Sequence, residues 1–331
     1  MTDLVDVGLS AAGTVLVVAG ADDAATDAVI RELDSRPVRV ARMDVGDFPL
    51  GLTLSASMTA DGWAGSAATA GSAVDLAEVR SVYYQRPTRF SFPATMSDGD
   101  KLFAAAEARL AFGGVLMSLP VLLVNHLGRS AAAEYKPLQL RTASDVGMRV
   151  PRTLVTNDHD AVTDFARATS GPVICKTLSS LVLNEGAGPR ITYTTPIDAT
   201  DIDPAAVAAT AHLVQQWVPK AYDVRVTMVG CHCFGVAIHA NSERAHVDWR
   251  ADYDAVAYEV VEVPADVIAG TSNYLGCLGL AYGAFDFTVD PDGSWWFLEC
   301  NPEGRWLWLQ EETGLPIAAA LADLLAAGLT R

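Results

Sequence analysis

A chain of 331 residues exceeds what one hydrophobic core usually spans, so two or three subdomains are expected. Half of the residues are apolar, which excludes a disordered chain, and no run approaches about eighteen apolar residues, which excludes a membrane-spanning helix. The formal charge of −17 disfavours nucleic acid as a partner and suits a partner segment carrying some positive charge.

The first ten residues, MTDLVDVGLS, have no basic region ahead of a long apolar core, so no signal peptide is expected. Cys175, Cys231, Cys233, Cys277 and Cys300 are odd in number, lie mostly in apolar runs and form no CxxC pair. They read as buried free thiols in a reducing cytoplasm, the expected location.

Thr14 to Ala19 (TVLVVA) predicts a short buried strand. It leads through Asp22-Asp23 into a helix with Ala25, Ala28, Val29 and Leu33 on one face. Pro37 to Val40 predicts the next strand, and this β-α-β start implies a covered parallel sheet. It lacks GxGxxG, which disfavours a Rossmann oxidoreductase. Gly51 to Gly71 predicts a less regular hairpin, and Val79 to Gln85 another strand. Ser97 with Asp100 predicts a capping box for a helix that carries Leu102, Phe103, Ala106 and Leu110 inward. Val121 to Val124 returns as a strand to Asn125-His126. His126, like the other five histidines, has no metal-ligand spacing and reads as structural or solvated.

A composition shift at Gly128 to Ala133 marks a candidate boundary. Lys136-Pro137 starts a helix that Gly147 closes, and Met148 to Val155 leads into a strand. Asn157 or Asp158 caps a helix with Val162, Phe165 and Ala166 inward. Val173 to Lys176 follows as an apolar strand with a lysine at its end. A buried ammonium needs an anion, and a phosphate would supply one; a snorkelling edge lysine is the other reading. Ser179 to Arg190 predicts a loop placed to cover such a phosphate. Leu213 to Val218 predicts a strand, as do Asp223 to Val229 and Cys231 to Ala240, hinged at Gly230, with Asp223, Arg225 and Thr227 on one face. Pro264 to Leu278 reads as a helix. Pro316 starts the last one, with Ile317, Ala320, Leu321, Leu324 and Leu325 inward.

Between these two helices lie two β-rich runs, Phe285 to Val289 and Trp295 to Cys300, joined by Asp290-Pro291-Asp292-Gly293, a hairpin signal. An even loop places Asp286 opposite Phe297 with Glu299 as its diagonal neighbour, the Cβ atoms about 7–8 Å apart. Asn301 points the same way, two residues on. Asp286, Glu299 and Asn301 form an oxygen-only set suited to Mg²⁺ with positions left for phosphate oxygens. Solvated residues on an outer face are the competing reading. The neighbouring Trp295, Trp296, Phe297, Trp306 and Trp308 favour the metal, because charged oxygens in apolar surroundings are costly unless paired.

Lys136, Lys176, the QQWV segment, Asp223-Val-Arg225 and Asp286 followed by Glu299-Cys-Asn301 resemble the ATP-grasp superfamily. Within it, VRVARMDVGDFP (38–49), VYYQRP (82–87), YKPLQL (135–140), VPRTLVTN (150–157) and NPEGRWLW (301–308) resemble the microviridin-type peptide maturases, or graspetide synthetases, almost end to end. The resemblance implies an α/β (α+β) ATP-grasp fold with an N-terminal β-α-β pre-ATP-grasp domain. Its parts would be a pre-ATP-grasp domain over 1–128, a central subdomain over 129–215 and a C-terminal subdomain with the metal site over 216–331.

The resemblance also implies an ADP-forming ligase that phosphorylates Asp or Glu side chains of a ribosomal precursor peptide. Ser or Thr hydroxyls or Lys amines of the same peptide would then close lactone or lactam rings. Lys136 and Lys176 would hold ATP phosphates, and Gln216, Trp217 and Val218 the adenine side. Asp286, Glu299 and Asn301 would hold Mg²⁺. Arg225 would stabilise the transferred phosphoryl, with Lys176 as its catalytic companion. Asp223 would either orient Arg225 or touch the ligand. A leader and core peptide is the implied partner, and a homodimer the implied assembly. Gln85-Arg86-Pro87, where an arginine pair is usual, and Glu303 with Arg305 depart from the family pattern. An amino-acid or peptide-tail ligase, glutamate-adding or glutathione-synthetase-like, would share the ATP site and differ in its acceptor. A catalytically silent ATP-binding protein is the third reading, which the lysines and metal ligands argue against.

Overall fold

The computed structural model describes residues 13–179, 183–185, 188–190, 194–198 and 202–329. The chain divides into two compact units, Met1–Ala132 with Gly279–Tyr282 and Arg305–Arg331, and Ala133–Leu278 with Gly283–Gly304.

In the first unit the strand Thr14–Ala19, apolar but for Thr14, is disfavoured in water, and it lies inside a parallel sheet ordered Arg39–Met43, Thr14–Ala19, Val79–Gln85, Leu122–Val124. The helix Ala24–Leu33 starts where Asp23 accepts the Thr26 N–H at 2.7 Å. The C-terminal helix Ile317–Ala327 packs against it, with Ile317, Ala320, Leu321 and Leu325 buried and Leu324 half-buried. Leu52–Thr59 and Gly62–Thr69 pair over their full length, a more regular hairpin than the small-residue composition suggests.

One expected face is corrected. The helix Asp98–Ser118 is capped by Ser97, which accepts the Asp100 N–H at 3.1 Å, but its inward residues are Ala108, Phe112, Val115 and Leu116. Leu102, Phe103 and Leu110 are 77%, 69% and 60% exposed. Helical spacing defines apolar stripes but not which of them is covered, and the one toward the C-terminal end is what meets the sheet core.

The second unit holds two antiparallel sheets. One is ordered Thr195–Ile197, Val173–Lys176, His212–Gln216, Thr153–Thr156; the other Val256–Val260, His232–Ala240, Tyr222–Val229, Tyr282–Val289, Trp295–Asn301. Gly230 makes the turn between its two long strands at φ +56°, and Gly147 ends the helix begun at Lys136-Pro137 at φ +86°. Asp158, rather than Asn157, caps the helix His159–Ala168. The expected covering loop over Ser179 to Arg190 lies partly outside the described residues; within it Leu183–Glu185 and Gly188–Arg190 pair antiparallel. All five cysteines are free, and the expectation that they are buried fails for Cys231 and Cys277, which are exposed.

Behind the second sheet, Tyr274, Phe285, Phe287 and Phe297 interlock with ring centroids 5.2 to 6.3 Å apart. Phe297 is fully buried at their centre. Phe297→Ala is expected to cost about 3–5 kcal/mol of stability, read as a lower denaturant midpoint at unchanged slope.

Candidate active site

The hairpin Tyr282–Val289/Trp295–Asn301 places the two carboxylates closer than the sequence implies. Its loop runs from Asp290 to Ser294, one residue longer than expected. Asp290 holds that loop by accepting the Asp292 and Ser294 N–H groups and the Trp296 indole N–H. A bulge then adds a second residue, because Phe287 pairs with Phe297 while Asp286 pairs with Glu299, leaving Leu298 unpaired. Two single-residue slips preserve which face each side chain takes. Asp286 therefore stands directly opposite Glu299, and the expected partner Phe297 is displaced. Asn301 joins them, its amide 3.4 Å from Asp286 Oδ2.

Asp286 is buried and Glu299 half-buried, and a ring of cations neutralises them. Arg225, from the adjacent strand, donates to Asp286 through Nε at 2.7 Å and Nη2 at 3.3 Å. Lys136, at the start of its helix, meets Glu299 at 3.2 Å and donates to the Thr177 carbonyl at 2.8 Å. Arg250 donates to Glu299 at 3.1 Å and to Asp248 at 3.1 Å, and reaches to 4.0 Å from Asp286. Lys176 points into the same cleft and donates to Gln215 at 3.2 Å. Burial would raise Glu299, but Lys136, Arg250 and Lys176 outweigh it and hold this carboxyl well below the usual range. Asp286 moves the opposite way, raised by burial against the pull of Arg225 and Arg250. Burial pushes the Lys176 ammonium down to about 8, with Glu299 opposing.

Residues 14–131 match the family model of the MvdD pre-ATP grasp domain. The fold is similar to that of a Chryseobacterium gregarium RiPP-associated ATP-grasp ligase, solved with ADP and a leader and core peptide. The TM-score is 0.88 at 23% identity over 95% of this chain and 97% of that one. It is also similar to two Microcystis aeruginosa macrocyclases, MdnC bound with the precursor peptide MdnA and MdnB. Their TM-scores are 0.81 and 0.77 at 25% and 26% identity, each over 95% of this chain and 99% of the other. A search of curated proteins returned no match. The chain is an ATP-grasp ligase. The resemblance to graspetide synthetases that its motifs carry extends over nearly all of its length.

In this ATP-grasp ligase the donor set fits a hard divalent cation. Two opposed carboxylates and one amide oxygen, with Asn301 turned about its amide, would leave coordination positions for phosphate. The remaining residues named from sequence also lie in the second unit. Gln216 and Trp217 donate their backbone N–H groups to the carbonyls of Arg152 and Pro172, at 2.9 Å each. The Val218 N–H has no such bond among the described residues. Asp223 pairs with Lys220 at 2.6 Å, and among the described residues no ion pair joins it to Arg225, which pairs with Asp286. Burial raises the Asp223 carboxyl, with Lys220 opposing.

Lys220, Asp248, Trp249 and Arg250 were not legible as site residues. The last three lie in or between single-turn helices from Ser242 to Val256, where no periodicity aims a side chain. Trp249 lies 5.7 Å from both Arg225 and Arg250, packing the two guanidinium groups beside the carboxylates. Arg250 is 37% exposed and spans the space between Glu299 and Asp286, so it acts as the counter-ion a cation would replace. Arg250→Gln is expected to tighten Mg²⁺ binding in the absence of nucleotide about tenfold. The check is the Mg²⁺ concentration that raises the melting temperature, compared with the parent.

Proposed function

We propose that this ligase is an ATP-dependent macrocyclase of a ribosomally made precursor peptide with a leader and a core. The observation that carries the reading is the opposed Asp286/Glu299 pair with Lys136, Lys176 and Arg225 around it. That arrangement can place a nucleoside triphosphate and neutralise a phosphoryl group in transit. The two sheets of the second unit would be the jaws of the cleft, corresponding to the subdomains read over 129–215 and 216–331.

Lys136 and Lys176 would bind phosphate oxygens, and the 216–218 segment the adenine, with the Val218 N–H as donor. Asp286, Glu299 and Asn301 would hold Mg²⁺, which supplies neutralisation of the phosphate oxygens when bound. A core Asp or Glu carboxylate oxygen attacks the γ-phosphorus, and the bond to the β–γ bridging oxygen breaks to leave ADP. Arg225 would stabilise the transferred phosphoryl by its planar pair of N–H groups. A Ser or Thr hydroxyl or Lys amine of the same peptide then attacks the acyl carbon. Phosphate leaves with the acyl C–O bond, and the nucleophile's proton is lost, closing an ester or amide. Water must be kept from the acyl phosphate, the role expected of the segment after Ser179. A homodimer remains part of this reading, and a cytoplasmic location supplies its ATP.

Mass spectrometry of a small Thr/Ser- and Asp/Glu-rich peptide encoded beside this protein, incubated with ATP and Mg²⁺, tests the proposal. Loss of one water per ring, dependent on ATP, supports it. Unchanged peptide mass with ADP release and capture of free glutamate would instead establish the amino-acid ligase. No ADP with any acceptor would overturn both.

A further inference from the structure

The first unit carries a second concave surface that the ATP chemistry does not use. It is a solvent-open groove of about 1260 Å³ at the C-terminal edge of the parallel sheet. Val45 follows the strand Arg39–Met43 there, Tyr84 lies near the end of the strand Val79–Gln85, and Pro87 follows it. Open α/β sheets place ligands at this edge. Phe90, Phe92, Leu102 and Phe112 supply its apolar walls. Phe48 ties Phe90 and Phe112 to the core at centroid distances of 6.5 and 6.2 Å. Phe103 and Leu110 extend the apolar surface along the exposed side of the helix Asp98–Ser118.

The charges at this groove oppose those of the chain. Arg89, Lys101 and Arg109 line it against the single acid Asp98, in a protein of net charge −17. Lys101 lies 3.8 Å from Asp98, while Arg89 and Arg109 make no ion pair among the described residues. Two guanidinium groups beside an aromatic groove suit carboxylates flanking an apolar stripe. A second copy of this acidic chain is less suited, since its surroundings would repel.

We infer that this groove docks an acidic amphipathic peptide segment, with apolar side chains between Phe92 and Leu102 and carboxylates on Arg89 and Arg109. The helix-in-groove mode needs anchors at i, i+3, i+4 and i+7, and the groove has room for several such side chains. The inference does not rest on the ATP site, and its test uses no nucleotide.

The probe is a fluorescein-labelled synthetic peptide of about four helical turns, with Leu and Phe at those spacings and Glu beside them. A twin carries Lys for every Glu. Anisotropy with the full chain is expected to show saturable, salt-weakened binding of the acidic peptide and none of the twin. Arg89→Glu with Arg109→Glu should weaken it at least about tenfold, and Leu102→Asp should abolish it. These residues are solvent-facing, so the melting temperature and ATP turnover should stay at the parent values. Equal binding of both peptides, binding of neither, or binding indifferent to these substitutions would overturn the inference. So would a dimer in sedimentation that Leu102→Asp dissociates, because the occupant would then be a second copy.

Discussion

Glu299→Gln is expected to lower peptide-dependent ADP formation by at least about a thousandfold while leaving the chain folded. The substitution keeps the shape and one oxygen of the side chain but removes the charge that Lys136 and Arg250 share at 3.2 and 3.1 Å. A metal held between Asp286 and a neutral amide would lose half of its protein charge, and two cations would be left competing with it. Stability should also fall, by about 1–3 kcal/mol, since a half-buried ion-pair member is removed beside a partly exposed Arg250. The sign of its pH dependence follows from the Glu299 carboxyl, which the fold holds well below its ordinary value. A depressed carboxyl stabilises the fold above its unfolded pKa and loses that contribution as pH falls through the folded one. The stability gap between parent and variant should therefore be full at neutral pH and close on acidification below the ordinary carboxylate range. Normal turnover in a cleanly folded variant would remove the site assignment.

Lys176→Ala is expected to have the second largest effect, about a hundredfold to a thousandfold on turnover, through loss of a phosphate-binding charge. The parent should betray this lysine by pH. Burial holds its ammonium at about 8 in the folded chain, against an ordinary value of 10.5. A phosphate beside it favours the charged form, so nucleotide binding above about pH 8 must take up a proton. Affinity should decline as pH rises through 8, and calorimetry in buffers of different ionisation heat should record the uptake. Lys176→Arg keeps its charge throughout and should flatten that decline. Without nucleotide the linkage runs the other way. Between about 8 and 10.5 the unfolded chain holds more protons at this position, so stability rises with pH there. Lys176→Met should abolish that rise.

Much of the architecture could be read along the chain because its signals are local. Thr14–Ala19 is apolar at every position but Thr14, and all of it is buried. Ser97 and Asp158 carry the side-chain acceptors that start helices, and Gly147 and Gly230 permit the positive φ that ends a helix or turns a strand. The alternation of side chains also put Glu299 and Asn301 on one face, and an even-length loop would add Asp286 to it.

Pairing itself was beyond the sequence. A Ser294 added to the loop and a bulge at Leu298 moved Asp286 from Phe297 to Glu299, and each depends on hydrogen bonds that only the folded hairpin offers. The helix Asp98–Ser118 has two apolar stripes, and the sequence could not say which would be covered, because the covering residues lie in distant strands. Arg250 came from a stretch of single turns with no pattern to aim it. The sequence by itself determined the elements, their order and the chemical identity of the carboxylates, lysines and Arg225. Tertiary structure alone decided which cation meets which carboxylate, since charges far apart in the chain are brought within about 3 Å only when the sheets close.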